Sequence, residues 1–218
     1  MRIDLHTHTL LSDGALLPIE LARRASAMKY EALAFTDHAS AGNIKRIIHE
    51  SKKDAELAAE WDIEVLVGCE ITHVPVTKID EVVSTARKLG AEIIVVHGET
   101  ISEPVEKGTN RVATNNPDVD ILAHPGLITE EDVQAAADNG VLLEITSRPS
   151  HCMTNGHVAS LARRIGAKLV VNSDAHSPSD LITDERARAV AAGAGMNQEE
   201  IELAVARNPR EIVRRIRG

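Results

Sequence analysis

The chain has 218 residues, 43% of them hydrophobic, enough to bury a sizeable core and within the range of one α/β barrel. A net charge of −9 and only three aromatic residues, Tyr30, Phe35 and Trp61, count against a protein that grips nucleic acid through a basic face or a stacking platform. The two cysteines, Cys69 and Cys152, lack CxxC spacing, and no run approaches the length of a membrane span. Free thiols, a cytoplasmic location without a leader, and no membrane partner are expected.

In chain order, short apolar runs alternate with longer, charged, Ala-rich segments. Ile3–Leu5 leads into His6-Thr7-His8 and the Ser12-Asp13-Gly14 turn, before a helix predicted over 17–29 with Pro18 in its first turn. Ala32–Phe35 ends in Thr36-Asp37-His38 and precedes a helix over 42–61. Val65–Val67 ends in Gly68-Cys69-Glu70, followed by a helix over 78–89 that stops at Gly90. Ile93–Val96 ends in His97-Gly98. The segment 98–117 then loses periodicity. On the catalytic side of a barrel it reads as a lid, with room for a short helix around 109–115.

Val119–Leu122 ends in Ala123-His124-Pro125, and Thr129 opens a helix over 129–139 like an N-cap, stopped by Gly140. The sixth run reaches Glu144 and is followed by a helix over 154–166. Leu169–Val171 ends in Ser173-Asp174-Ala175-His176; a helix over 184–195 and a C-terminal pair over 197–206 and 208–216 complete the chain. Such Val/Ile/Leu runs are typical of buried parallel strands. Seven βα units result, one fewer than the familiar eight, and residues 1–218 are expected to form a single domain.

Metal-competent residues stand at the ends of six of these seven runs, and a parallel barrel gathers its strand ends at one mouth. His6-x-His8 places two imidazoles on one strand face, because the period is two. Asp174-x-His176 repeats the arrangement. Glu70 offers two oxygens and can bridge two ions. His97 and His124 complete a second ion, and Asp13 and His38 remain for a third. This mixture of imidazole and carboxylate suits Zn, Mn or Fe better than Mg or Ca, which prefer oxygen. His49 and His157 read as structural histidines; His73 and His151, in loops on the catalytic side, are candidate substrate contacts. Glu144 either faces the mouth behind a ligating histidine or pairs outward with a helix. Cys69, next to Glu70, points the other way and packs under a helix.

These motifs resemble those of the PHP (polymerase and histidinol phosphatase) domain family over essentially the whole length. His6-Thr7-His8 with Ser12-Asp13-Gly14 is similar to its first motif, Gly68-Cys69-Glu70 to its second, His97 with His124-Pro125-Gly126 to its third, and Ser173-Asp174-Ala175-His176 to its fourth. The resemblance implies a distorted seven-stranded (β/α)7 TIM-like barrel holding three divalent transition-metal ions. It assigns His6, His8, Glu70 and Asp174 to the first ion. Glu70, His97 and His124 go to the second, and Asp13, His38 and His176 to the third. All nine positions carry competent ligands.

The implied activity is phosphoester hydrolysis, with metal-activated water as attacker and Asp174 or His176 protonating the leaving alkoxide. Arg148, whose guanidinium fork matches a phosphate, is the first candidate substrate contact. Arg111 and Lys107 in the long loop, and His151, are others. The acidic charge and the scarcity of aromatics favour a phosphomonoesterase acting on a small phosphorylated metabolite, as a histidinol phosphatase does. The alternatives are a phosphodiesterase or exonuclease on short nucleotides, and a non-catalytic metal-binding module. An amidohydrolase also begins with HxH, but typically has eight strands and often a bridging lysine where this chain has His97. Extended nucleic acid is not an expected partner.

Overall fold

The computed structural model describes residues 1–218. Its strands are β1 (Arg2–Asp4), β2 (Tyr30–Phe35), the two-residue β3 (His38–Ala39), β4 (Glu64–Ile71), β5 (Ile93–His97), β6 (Ile121–Ala123), β7 (Leu142–Thr146) and β8 (Leu169–Asn172). All pair in parallel, in the order β1-β2-β4-β5-β6-β7-β8, with β3 hooked onto the far end of β4 so that His38 lies opposite Glu70. β3 resumes the line of β2 after a two-residue break, so seven principal strands remain. Beyond β1 and β8 the chain nearly closes the ring: the His8 amide donates to the Ala175 carbonyl at 2.8 Å and the Asp174 amide to the His6 carbonyl at 3.0 Å. The architecture is an α/β TIM-like barrel.

The helices are α1 (Pro18–Ala27), α2 (Ile44–Ala58), α3 (Ile79–Leu89), α4 (Thr109–Asn115), α5 (Glu130–Asn139), α6 (Asn155–Ile165), α7 (Asp184–Gly193), α8 (Gln198–Glu202) and α9 (Asn208–Arg217). Their ends follow local chemistry. Pro18 occupies a first turn, where its missing N–H costs nothing. The Thr129 hydroxyl accepts from the Asp132 amide, a cap worth about 1 kcal/mol. At the other ends, Gly90 and Gly140 cap α3 and α5 in left-handed conformations. The C-terminal pair departs from expectation: a π-helical turn, Leu203–Arg207, joins α8 to α9 without a break. Pro209 cannot donate backward, and a widened turn absorbs the missing bond. None of these helices is long and apolar enough to cross a membrane.

Two buried layers position the site. The larger lies between the strands and the surrounding helices and includes Cys69, Val96, Leu122, Ile145 and Val171. The smaller fills the barrel with Ile3, Ala32, Leu66, Val95, Ile121, Leu142 and Val170, and Ile212 of α9 joins it from below. Strand alternation then dictates what stands above that plug. His97 lies two residues beyond Val95, Glu144 two beyond Leu142, and Glu70 four beyond Leu66. Apolar side chains fill the floor and ligand-type side chains the mouth, on the same inward face.

Candidate metal centre

All nine residues singled out as metal ligands converge at the mouth. Around the first group, His6 Nε2 lies 3.0 Å from His8 Nε2 and 3.4 Å from Glu70 Oε1, and His8 Nε2 lies 3.2 Å from Asp174 Oδ1. Donor atoms around a four-coordinate ion at about 2.1 Å sit about 3.4 Å apart, so these separations fit one ion. A further group comprises His8, Asp13, His38 and His176, with Asp13 Oδ2 3.5 Å from His38 Nε2 and 3.2 Å from His176 Nε2. His8 therefore serves two groups. Between them, His124 Nε2 lies 3.5 Å from Glu70 Oε1, and His97, His124 and His151 bring their donor atoms within 4.8 Å of one another.

The chemistry of these groups calls for cations. Glu70 and Asp174 are buried carboxylates, and the only guanidinium near them is that of Arg148, whose Nε is 3.6 Å from Asp174 Oδ2. His8 Nδ1, His124 Nδ1 and Glu70 Oε1 are buried without any hydrogen-bond partner. Such orphaned atoms are costly unless an ion takes them. Charge and burial pull the imidazoles apart. Burial resists a proton on His6, yet Glu144, Glu70 and Asp174 hold its pKa well above the usual range. His38 goes the same way, up to about 10, because Glu70 and Asp13 outweigh its burial. For His8 burial prevails and lowers the value to about 4. The surrounding histidines hold Glu70 ionised despite its burial.

Local structure aims these groups. Asp37 accepts from the Thr9 amide at 2.8 Å and from the Thr9 and Ser12 hydroxyls, pinning the turn that presents Asp13. Gly14 lets that turn fold back: a Cβ there would lie 2.5 Å from the His8 carbonyl oxygen. Glu144 faces the mouth, which decides between its two readings. Its Oε1 lies 2.8 Å from His6 Nδ1 and accepts from Asn172 Nδ2 at 2.9 Å, and its Oε2 accepts from the His124 amide at 3.0 Å. Such a partner fixes the tautomer and aims Nε2 of His6 at the cluster.

The substrate-contact candidates divide. Arg148 lies at the mouth, partly exposed, with Nη1 donating to the Asp174 carbonyl at 3.2 Å. His151 stacks on His124 at 4.3 Å between ring centroids, its Nδ1 2.8 Å from the Thr100 hydroxyl. Burial, then the neighbouring His124, lowers its pKa to about 4, so the ring is neutral. Arg111 does not join them and requires correction. It lies on α4, whose helical turn carries its guanidinium outward to Asp132 and Glu131, each at 3.1 Å. Lys107 is exposed. His157 Nε2 donates to the Ile128 carbonyl at 2.8 Å, in keeping with a structural role.

The sequence reading missed Glu103. It lies in the aperiodic segment before α4 and brings its carboxylate 3.2 Å from His97 Nε2 and 3.5 Å from His151 Nε2. The same segment bonds to the loop after β7 through Thr100–His151 and through the Ser102 hydroxyl, which donates to the Ser150 carbonyl. Residues 98–108 thus wall one side of the mouth, and the expected short helix α4 follows.

A family model described as the PHP domain matches residues 4–164. The chain is 49% identical to an uncharacterised protein of Methanocaldococcus jannaschii, over 99% of this chain and 100% of that one. It is 30% identical to a probable phosphatase of Caldanaerobacter subterraneus, covering 80% and 76% of the two chains. Ribonuclease P protein component 3 of Methanosarcina mazei is 28% identical, covering 94% and 86%. Among solved structures, an archaeal ribonuclease P with mature tRNA superposes with a TM-score of 0.71 at 18% identity, covering 99% and 89%. Histidinol phosphate phosphatase from Lactococcus lactis, complexed with zinc, L-histidinol and phosphate, gives 0.63 at 18%, covering 90% and 94%. At such identities the two structures share the fold alone. The family model spans most of the chain and takes in seven of the nine converging residues, from which it follows that this chain belongs to the PHP domain family.

Proposed function

We propose that this chain, as a single PHP domain, is a metal-dependent phosphoesterase that hydrolyses the monoester of a small phosphorylated metabolite. The observation that carries the reading is Glu70: a fully buried carboxylate with histidines of three separate groups around it and one oxygen left without a partner. His6, His8, Glu70 and Asp174 would hold one ion, Glu70, His97 and His124 a second, and Asp13, His38 and His176 a third. When bound, ions of the Zn, Mn or Fe type supply a water of lowered pKa and neutralise charge on the phosphoryl oxygens.

The chain's own groups supply the rest. Arg148, anchored by its Nη1 on the Asp174 carbonyl, keeps guanidinium N–H groups at the mouth for the phosphate. Asp174 and His176 are the candidates for moving the proton to the leaving alkoxide; His176 Nδ1, 2.9 Å from the Asp174 carbonyl, leaves its Nε2 toward Asp13 and the mouth. The 98–108 wall and His151 close the site toward water on one side. Similarity to a probable phosphatase along 80% of the chain supports this reading.

Similarity to a ribonuclease P protein component gives a second reading, in which the chain serves an RNA-containing assembly. The net charge of −9 and the full set of nine metal-competent residues favour the enzyme. The deciding experiment is phosphate release from a panel of monoesters and diesters by protein reconstituted with Zn or Mn. Monoester turnover that a chelator abolishes and metal restores is expected. A metal-loaded protein inert toward every ester, yet binding a structured RNA, would replace the enzyme with the second reading.

A further inference from the structure

Two histidines, one in the loop after β4 and one at the end of β5, aim the same atom at one carboxylate. His73 Nε2 and His97 Nε2 each lie 3.2 Å from Oε2 of Glu103, and the three donor atoms fall within 4.8 Å of one another. His73 follows β4 and Glu103 follows β5; neither belongs to the nine residues assigned above. His97 belongs to both sets. Its Nδ1 faces the Gly98 carbonyl at 3.2 Å, so the inner set and this outer one compete for its Nε2. A ring nitrogen binds one ion at a time, and the two positions therefore exclude each other.

Exposure differs across the triad in a directed way. His97 is 3% exposed, whereas His73 and Glu103 are 42% and 38% exposed. His73 also holds φ at 50°, a left-handed backbone that non-glycine residues rarely adopt; of the three others that do so, Lys29, His124 and Asp174, two are among the converging residues. Such conformations cluster where geometry serves a site. An exposed salt link between His73 and Glu103 alone requires neither this conformation nor the shared approach to His97. Two imidazoles and one carboxylate with an open side form a competent transition-metal set.

We propose that His73, His97 and Glu103 form an outer, exchangeable position for a divalent transition-metal ion, from which the ion moves inward to His97 and His124 by pivoting on His97. Buried metal sites need an entry path, and this one starts at half-exposed ligands and ends at buried ones. The inference rests on the metal-dependent reading above, but it concerns how the cluster fills rather than what the cluster does.

The test follows metal uptake with Co²⁺ alone as probe. Chelator-stripped full-length protein is mixed with Co²⁺, filling is followed by visible absorption, and final content is measured by elemental analysis. The variants are His73→Asn, which tolerates the left-handed backbone, Glu103→Gln, and the pair combined. In the double variant one Co²⁺ position should fill at least about tenfold more slowly, with the final content at saturating metal unchanged. Filling at the wild-type rate overturns the proposal. So does permanent loss of one ion at saturation, since the pair would then be resident ligands and not an entrance. A wild-type chain that takes up no Co²⁺ defeats the metal-dependent reading along with this one, whereas unchanged variants of a metal-binding wild type defeat this one alone.

Discussion

Glu144 Oε1 lies 2.8 Å from His6 Nδ1, and through its other oxygen Glu144 holds the His124 amide at 3.0 Å. One buried carboxylate thus orients a ring from β1 and the backbone of a residue just beyond β6. In Glu144→Gln the amide can serve His6 or His124 as acceptor with one end, but its NH₂ must face a donor with the other. The expected result is a loss of about 10- to 100-fold in metal affinity. Competition against a chelator dye measures it, and wild-type affinity would remove Glu144 from the site.

His8 offers a sharper effect, because it reaches the first group through Nε2 and Asp13 through Nδ1 at 3.8 Å. Elemental analysis of reconstituted wild-type protein should find about three ions per chain. His8→Ala should lower that number by more than one and abolish turnover, because two groups lose a member together. Loss of a single ion would show that His8 serves only one of them.

The Arg148 side chain makes one hydrogen bond, to the Asp174 backbone carbonyl, and lies 3.6 Å and 4.0 Å from the Asp174 and Asp180 carboxylates, with its Nη2 bonded to no protein group. Arg148→Lys keeps the charge but loses the fork. Losing one charge-assisted contact in the transition state should cost on the order of 2–4 kcal/mol, or about 30- to 1000-fold in kcat/KM. Inhibition by free phosphate should weaken in parallel while the melting temperature stays put. Unchanged kinetics with a drop of several degrees would make Arg148 a structural residue.

The pH response of the metal-free protein follows from His38. Its folded pKa, about 10, is raised above the ordinary 6.5 because Glu70 and Asp13 outweigh its burial. A raised value contributes stability fully below pH 6.5 and loses it as the pH climbs through about 10. The metal-free melting temperature should therefore fall across that window. Metal ions displace the same protons, so apparent metal affinity should rise as the pH does, with protons released on binding. Calorimetry in buffers of different ionisation enthalpy counts them; a count of zero near neutral pH would contradict the assignment.

What the sequence revealed and what it hid have physical causes. The strand-end ligands were legible because a period of two fixes the face of each side chain: HxH and DxH can be read without coordinates. Glu144 lies on an equally regular strand, but the sequence does not say which face is inward when neither neighbour is a ligand. Glu103 sits where no period exists, so nothing in the residues around it predicts its direction. Arg111 went astray for the opposite reason. The segment becomes regular at α4, and the helix turns that side chain toward α5 instead of the mouth. The π-helical link before α9 was invisible because its apolar spacing differs little from that of an ordinary helix.

His124 and Asp174 hold φ at 26° and 53°. Backbone of this kind costs of order 1–3 kcal/mol per residue, and glycine or asparagine would avoid much of it. On the metal-dependent reading proposed above, a need for a histidine and an aspartate at those two places accounts for the strain being kept. The pair therefore works as a historical record. A relation of this chain that had ceased to bind ions would have no reason to keep either residue, and drift toward Gly or Asn there would relax its backbone while it lost its ligands. Reading positions equivalent to 124 and 174 beside measured metal contents would show whether stability and chemistry have been exchanged in that way.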